Sequence, residues 1–308
     1  MVTIDSAVVT GGLGESGSWI VDDLARRGVD VTCVDQVGPS GEAPENVSFY
    51  RADLTDQGEA WELIEYARPD AVIHFANVPA MGIRAGGRTF ENNVLANYNV
   101  MDAAGRVGSE VVWASSECTY GTVFAETTEL PEYFPIDEEH PVGAPDPYGT
   151  SKVVGEEIGR MVHRRYGVPV TSIRPSWIQY PGEYATTGIR ESFDPETAAV
   201  TGDRNTHVPS GNFWSYIDVR DIVSLVSAVL DADTKGHEAY VGVADENYLG
   251  RPTAETIEAV FGALPDECDL EGEESALSNA KAKADLDWEP AHTWRSALDE
   301  DVPSPSFA

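Results

Sequence analysis

The chain has 308 residues, with 20 Lys and Arg against 53 Asp and Glu and a formal net charge of −33. That charge repels a phosphate backbone and excludes nucleic acid as an expected partner. No apolar run reaches the length of a membrane helix, and Cys33, Cys118 and Cys268 make no disulfide framework, so a reducing cytoplasm and no membrane partner are expected. The first strand is predicted at Ser6–Thr10, which leaves no room for a signal peptide ahead of it. Gly11-Gly-Leu-Gly14-Glu15-Ser16-Gly17 follows, and an amphipathic helix is predicted from Ser18 to Arg27. Strand, glycine turn and helix in register make a relative of the dinucleotide fingerprint. Gly11 allows the tight turn, Gly14 lets backbone approach a pyrophosphate, and Gly17 lets the helix pack on the strand. The phosphates then face the free N–H groups of the helix start.

A second strand, Asp30–Asp35, ends in an acid roughly 20 residues beyond the loop, as ribose recognition requires. Asp35 accepts from ribose hydroxyls and repels a 2′-phosphate, and no arginine follows before Arg51, so NAD is expected. NADP is also admitted, because molar salt screens that repulsion. Asp70-Ala-Val-Ile-His-Phe-Ala-Asn77 reads as a buried strand with His74 in the core, Glu91-Asn-Asn93 opens a helix, and Val111–Ser116 is a further strand. Cys118 has no metal-ligand spacing around it and reads as a packing residue; no metal site is expected. Tyr148 and Lys152 are four apart and share one helix face. An ammonium beside a phenol favours the phenolate, so the Tyr148 pKa is expected to fall toward neutrality and the pair to act as an acid/base on a hydroxyl.

Taken in order, the glycine loop, Asp35, Arg51-Ala-Asp53-Leu54, Asp70–Asn77, Asn93, Ser116, Tyr120-Gly121, Tyr148, Lys152 and Arg174-Pro175 resemble the extended short-chain dehydrogenase/reductase family, which includes NAD-dependent sugar epimerases and dehydratases. The resemblance covers most of residues 5–178 and resumes at Tyr216-Ile-Asp-Val-Arg-Asp221. It implies an α/β fold, a doubly wound parallel Rossmann sheet over residues 1–178 to which 212–243 return, with a small substrate lobe mainly in 179–308. It implies Ser116, Tyr148, Lys152 and Asn93 as catalytic residues. Gly11, Gly14, Glu15, Ser16, Gly17, Asp35, Asp53, Leu54, Phe75, Ala76, Asn77, Tyr148, Lys152 and Pro175 are implied to hold the cofactor. A homodimer or homotetramer through helices 93–106 and 148–165 is implied as well.

On the substrate side, Trp177 stands where the family's nucleotide-sugar enzymes carry an asparagine for the substrate diphosphate. About 35 residues separate Tyr180 from Tyr216, among them Arg190, Arg204 and His207, a short space for a whole nucleotide. Asn77, Ser116, Glu117, Trp177, Arg190 and Trp214 are the expected substrate residues, with Gln179 and Asn205 as further hydrogen-bonding groups; core packing explains Trp177 and Trp214 equally well. The chain is most similar to sugar 1-dehydrogenases, those of the L-arabinose type included, which oxidise a free monosaccharide to the lactone. A nucleotide-sugar 4-epimerase or dehydratase with tightly bound NAD is the first rival, although Cys118 replaces the second acid of the dehydratases. A non-catalytic NAD-binding regulator is the second. The acids are spread along the chain, and lysine is confined to Lys152, Lys235, Lys281 and Lys283, which fits a salt-rich cytoplasm. The last eight residues, 301–308, read as a frayed tail.

Overall fold

The computed structural model describes residues 4–182, 184–198, 200, 210–297, 300 and 302–308. The first half alternates β1 (Ser6–Thr10), α1 (Gly17–Arg26), β2 (Asp30–Asp35), β3 (Val47–Arg51), α2 (Gln57–Ala67), β4 (Ala71–His74), α3 (Gly86–Val107) and β5 (Glu110–Ala114). A 3₁₀ turn at Glu117–Tyr120, β6 (Tyr133–Phe134), α4 (Pro147–Tyr166) and β7 (Val170–Pro175) follow. The rest comprises β8 (Ile178–Gln179), α5 (Thr186–Ser192), β9 (Ile217–Asp218), α6 (Val219–Asp231), β10 (His237–Gly242), α7 (Thr253–Phe261), β11 (Glu267–Cys268), α8 (Ala280–Leu286) and α9 (Trp294–Ala297).

Seven strands form one parallel sheet in the order β10-β7-β5-β4-β1-β2-β3. The chain runs outward from β1 through β2 to β3, then returns to β4 and builds the other way. The connections after β1 and β4 therefore diverge and leave a crevice at the carboxyl ends of these strands. Both sheet faces are covered, which is why the strands read as continuous apolar runs. Neighbouring residues alternate between faces: Val9 joins Ile20, Leu24 and Ile222 beneath α1 and α6, and Val8 joins Ile64, Val100 and Val162 beneath α2, α3 and α4. A third core, rich in aromatics, fills the lobe with Phe134, Phe213, Trp214, Tyr216 and Tyr248 around the short pairs β6–β11 and β8–β9.

The chain from 280 onward returns to the Rossmann part. Ala282, Trp288 and Phe307 join the core beneath α1 and α6. The tail is not frayed as its composition implied. Phe307 is buried against Phe49 at 5.9 Å, Ser40 N donates to the Phe307 carbonyl at 3.0 Å, and Ser306 Oγ donates to Glu42 O at 3.1 Å. One aromatic ring withdraws enough apolar surface from water to anchor a short polar segment. His74 is fully buried, its ring nitrogens within 2.6 Å of Thr10 Oγ1 and 2.9 Å of Asn97 Oδ1, and burial pushes its pKa down to about 3, so it is neutral. Among the described residues, no helix is long and apolar enough to cross a membrane and no cluster of three His, Cys, Asp or Glu is placed to hold a metal.

Candidate active site

A cleft of about 1390 Å³ opens at the carboxyl ends of the central strands. Its first wall is the turn from β1 into α1. Gly11 has φ +69°, and a Cβ there would meet Ala76 N at 2.7 Å; a Cβ at Gly17 would overlap the Gly11 carbonyl oxygen. Only glycine lets the loop lie this close to β4 and the helix this close to the loop. Asp35 at the end of β2 is shared with that loop: its carboxylate accepts from Leu13 N at 3.2 Å and Gln36 N at 2.7 Å. Arg51, level with Asp35 in the β2–β3 register, turns to the Gln36 carbonyl at 3.1 and 3.2 Å. Asp53 accepts from Thr55 N and Oγ1 at 3.0 and 2.7 Å, and Asn99 donates to Leu54 O at 3.0 Å, which together fix the loop after β3.

Gly11, Gly14, Glu15, Ser16, Gly17, Asp35, Asp53, Leu54, Phe75, Ala76, Asn77 and Pro175 all line the cleft. Both amide atoms of Asn77 are buried there without a partner. A buried unsatisfied amide costs about 1–3 kcal/mol, so this wall is built for a polar ligand, and its chemistry fits a dinucleotide.

The second wall carries Ser116, Tyr148 and Lys152. β5 delivers Ser116, whose Oγ accepts from Cys118 N at 3.1 Å and starts the 3₁₀ turn. Asp146 caps α4 by accepting from Tyr148 N and Gly149 N at 2.8 and 2.9 Å, which sets Tyr148 in the first turn. A Cβ at Gly149 would stand 2.5 Å from the Cys118 carbonyl oxygen, so glycine there lets the helix start press against the Ser116 turn. Lys152, one turn on, donates to Ala114 O at 2.7 Å, with Nζ 5.4 Å from the Tyr148 ring centre. Ser116, Tyr148 and Lys152 all line the cleft.

The electrostatics differ from the expectation for this pair. Burial raises the Tyr148 phenol well above its ordinary range, with a bond to Ser116 pulling the other way, and burial lowers Lys152 to about 7. Desolvation is the dominant cause of both shifts. Glu117 is pushed up to about 8 by burial, with its Oε2 accepting from Ser176 Oγ at 2.7 Å, so it is a neutral acid at pH 7.

Other expected site residues are placed elsewhere. Asn93 is buried outside the cleft wall, where it accepts from Val78 N at 2.8 Å and donates to Val78 O and Ser151 Oγ at 3.1 and 3.3 Å. It ties the loop after β4 to α4. Arg190 faces away from the cleft and lies 3.9 Å over the Trp294 ring, because α5 presents Gly188, Ile189 and Ser192 to the cleft. Trp214 is buried in the lobe core against Phe193 at 5.3 Å and does not reach the cleft. Trp177, Glu117 and Asn77 do line it. Gln179 is buried with its Oε1 unpaired. Arg204, Asn205 and His207 lie outside the described residues.

Several residues came to light only in three dimensions. Phe124 sets its ring edge on Tyr148 at 5.9 Å, and Asn212 and Tyr180 also line the cleft. Glu156, four residues after Lys152, accepts from Ser115 Oγ at 2.7 Å and forms a bidentate pair with Arg174 at 2.8 Å; Arg174 also donates to Tyr120 OH at 3.0 Å. That buried network clamps α4, the end of β5 and β7 behind Ser116, Tyr148 and Lys152. Its signal in the sequence was the i, i+4 spacing of Glu156 from Lys152.

Residues 7–242 match the NAD dependent epimerase/dehydratase family. The chain is 32% identical over 228 residues to UDP-glucose 4-epimerase 2 of Arabidopsis thaliana, a match covering 66% of this chain and 62% of that one. The chain thus spans between 54% and 62% of the length of the first curated relatives it matches. An epimerase structure from the methanogen Methanothermobacter thermautotrophicus superposes with TM-score 0.71 at 21% identity, covering 97% of this chain and 91% of that one. A glucuronic acid dehydrogenase from Chromohalobacter salexigens superposes with TM-score 0.64 at 20% identity, covering 98% and 91%. At these identities the structures share the fold. Across the greater part of its length, from the glycine loop to the last strand of the sheet, this chain belongs to the NAD dependent epimerase/dehydratase family.

Proposed function

We propose that this chain is an NAD-dependent sugar oxidoreductase and that it oxidises a free aldose at C1 to the lactone. The observation that carries the chemistry is the convergence of Ser116, Tyr148 and Lys152 on the cleft that also holds the glycine loop and Asp35. NAD, when bound, supplies the hydride acceptor. Ser116 holds the substrate oxygen by hydrogen bonding, and Tyr148 takes its proton. Tyr148 acts here as the phenolate and becomes the neutral phenol on taking the proton; Lys152 favours the phenolate before that transfer, and its placement against Ala114 O fixes where its charge sits. Holding both reactants in one cleft supplies much of the acceleration.

The free-sugar reading rests on the described cations. Arg174 is occupied by Glu156 and Arg190 by Trp294, which leaves Arg84 and Lys152 in the cleft wall among the described residues. A free sugar carries no phosphate and asks for no further cation there. The second reading is 4-epimerisation of a UDP-sugar, which uses the same three residues and returns the isomer with no net change in cofactor. The name of the Arabidopsis thaliana relative, a UDP-glucose 4-epimerase at 32% identity, favours this second reading over the 1-dehydrogenase. Pentoses, hexoses, uronates and UDP-sugars assayed with NAD and with NADP in molar KCl decide between them. NAD(P)H absorbance rising with a free sugar is the expected result. Interconversion of UDP-glucose and UDP-galactose without net NADH would establish the epimerase. Tight NAD binding with no turnover of any sugar would make the chain a regulator. A cytoplasmic homodimer or homotetramer joined through α3 and α4 completes the proposal.

A further inference from the structure

Ser16 precedes α1, where a serine hydroxyl ordinarily caps the helix by accepting from the amides two or three residues on. Its hydroxyl makes no such bond and lies instead 2.9 Å from the hydroxyl of Tyr180. Tyr180 stands 164 residues away in the chain, just past β8, where the lobe begins. Both residues line the cleft beside Gly14 and Glu15. The pair thus bridges the Rossmann loop and the lobe next to the amides that α1 leaves free.

We propose that Tyr180 is a positioning residue for the cofactor, and that with Ser16 it forms a two-hydroxyl clasp, Tyr180 holding Ser16 and Ser16 bonding the pyrophosphate of NAD, that governs how fast the cofactor leaves. The inference rests on NAD binding in this cleft and is independent of which sugar is oxidised. The direction of the bond follows from the ligand. Tyr180 donates to Ser16, and Ser16 is then free to donate its own proton to a phosphate oxygen. Each bond in such a chain polarises the next. Burial holds the Tyr180 phenol at about 12, so it remains an uncharged donor beside the phosphates. A helix cap is given up to place the Ser16 hydroxyl in this way, and the phosphate restores a partner for the helix start. The clasp joins two parts of the molecule, so the cofactor leaves only when the lobe lets go of the loop.

The test is Tyr180→Phe, which keeps the ring, together with Ser16→Ala and the double variant, all in molar KCl. NAD affinity is measured by calorimetry and NADH release by stopped-flow fluorescence, with no sugar present. Each single variant is expected to weaken NAD about tenfold, the range of a hydrogen bond to a charged group, and to speed NADH release in proportion. The double variant should lose little more than either single one, because the two hydroxyls act as a unit. ADP should lose affinity as NAD does, and adenosine, which has no phosphate, should bind each variant as it binds the parent. NAD affinity and NADH release within twofold of the parent in Tyr180→Phe would overturn the clasp, as would an equal loss for adenosine. If Tyr180→Phe does not fold, Ser16→Ala decides alone by the same criteria. Absence of NAD binding to the parent protein would instead sink the cofactor assignment itself.

Discussion

Glu117 offers a quantitative test of how dry the second wall of the cleft is. Its carboxyl is buried beside Ser116, accepts from Ser176, and has its pKa raised from 4.5 to about 8 by desolvation. In the unfolded chain it titrates near its ordinary value. Between these two pH values the folded state therefore holds the proton and the unfolded state does not. The folded state binds more protons, so this group's contribution makes stability fall as pH rises from about 4.5 toward 8. At about 1.4 kcal/mol per pH unit, the gap amounts to roughly 5 kcal/mol as a ceiling. Glu117→Gln removes it, since the amide is uncharged at every pH and its oxygen still accepts from Ser176. With unfolding entropy of about 2.1 cal/mol/K per residue, the variant should unfold up to roughly 7 °C above the parent at pH 8. The two should converge near pH 5. The assay is thermal unfolding of both proteins in molar KCl from pH 5 to 8.5, read by circular dichroism. Parallel profiles across that range would refute a neutral, desolvated Glu117.

Tyr148→Phe should lower kcat by about 10²–10⁴-fold while NAD affinity, measured by calorimetry, stays within about twofold; retained turnover would remove the phenol from the chemistry. Arg174→Met leaves Glu156 buried without its bidentate partner, so it should cost about 3–5 kcal/mol in denaturant unfolding, and a loss under about 1 kcal/mol would show that water reaches the pair. With 53 acids against 20 bases, the thermal midpoint should rise steeply between dilute buffer and molar KCl, where the Debye length shrinks to roughly 3 Å. Equal midpoints at both salt concentrations would sink the reading of the charge as adaptation to salt.

The sequence alone was enough for the parts whose chemistry is local. Gly11, Gly14 and Gly17 announce a turn because only glycine tolerates that backbone and those approaches. Asp35 announces itself by its distance from the loop, and Tyr148 with Lys152 by a spacing that puts both on one helix face. The doubly wound sheet followed from the family resemblance that these motifs carry in their order along the chain. What the tertiary structure decided depends on which distant segments meet. Arg190 and Trp214 had suitable side chains for a substrate, but α5 turns Arg190 onto Trp294 and the lobe core encloses Trp214. Asn93 spends its amide on Val78 and Ser151. Phe307 looked like part of a polar tail until the edge of the sheet gave its ring a partner. The Tyr148 pKa moved opposite to the expectation because spacing reveals a neighbouring charge and says nothing of desolvation, which here is the larger effect. The contact between Ser16 and Tyr180 has no periodic signature at all, because folding alone brings residues 164 apart within reach of one hydrogen bond.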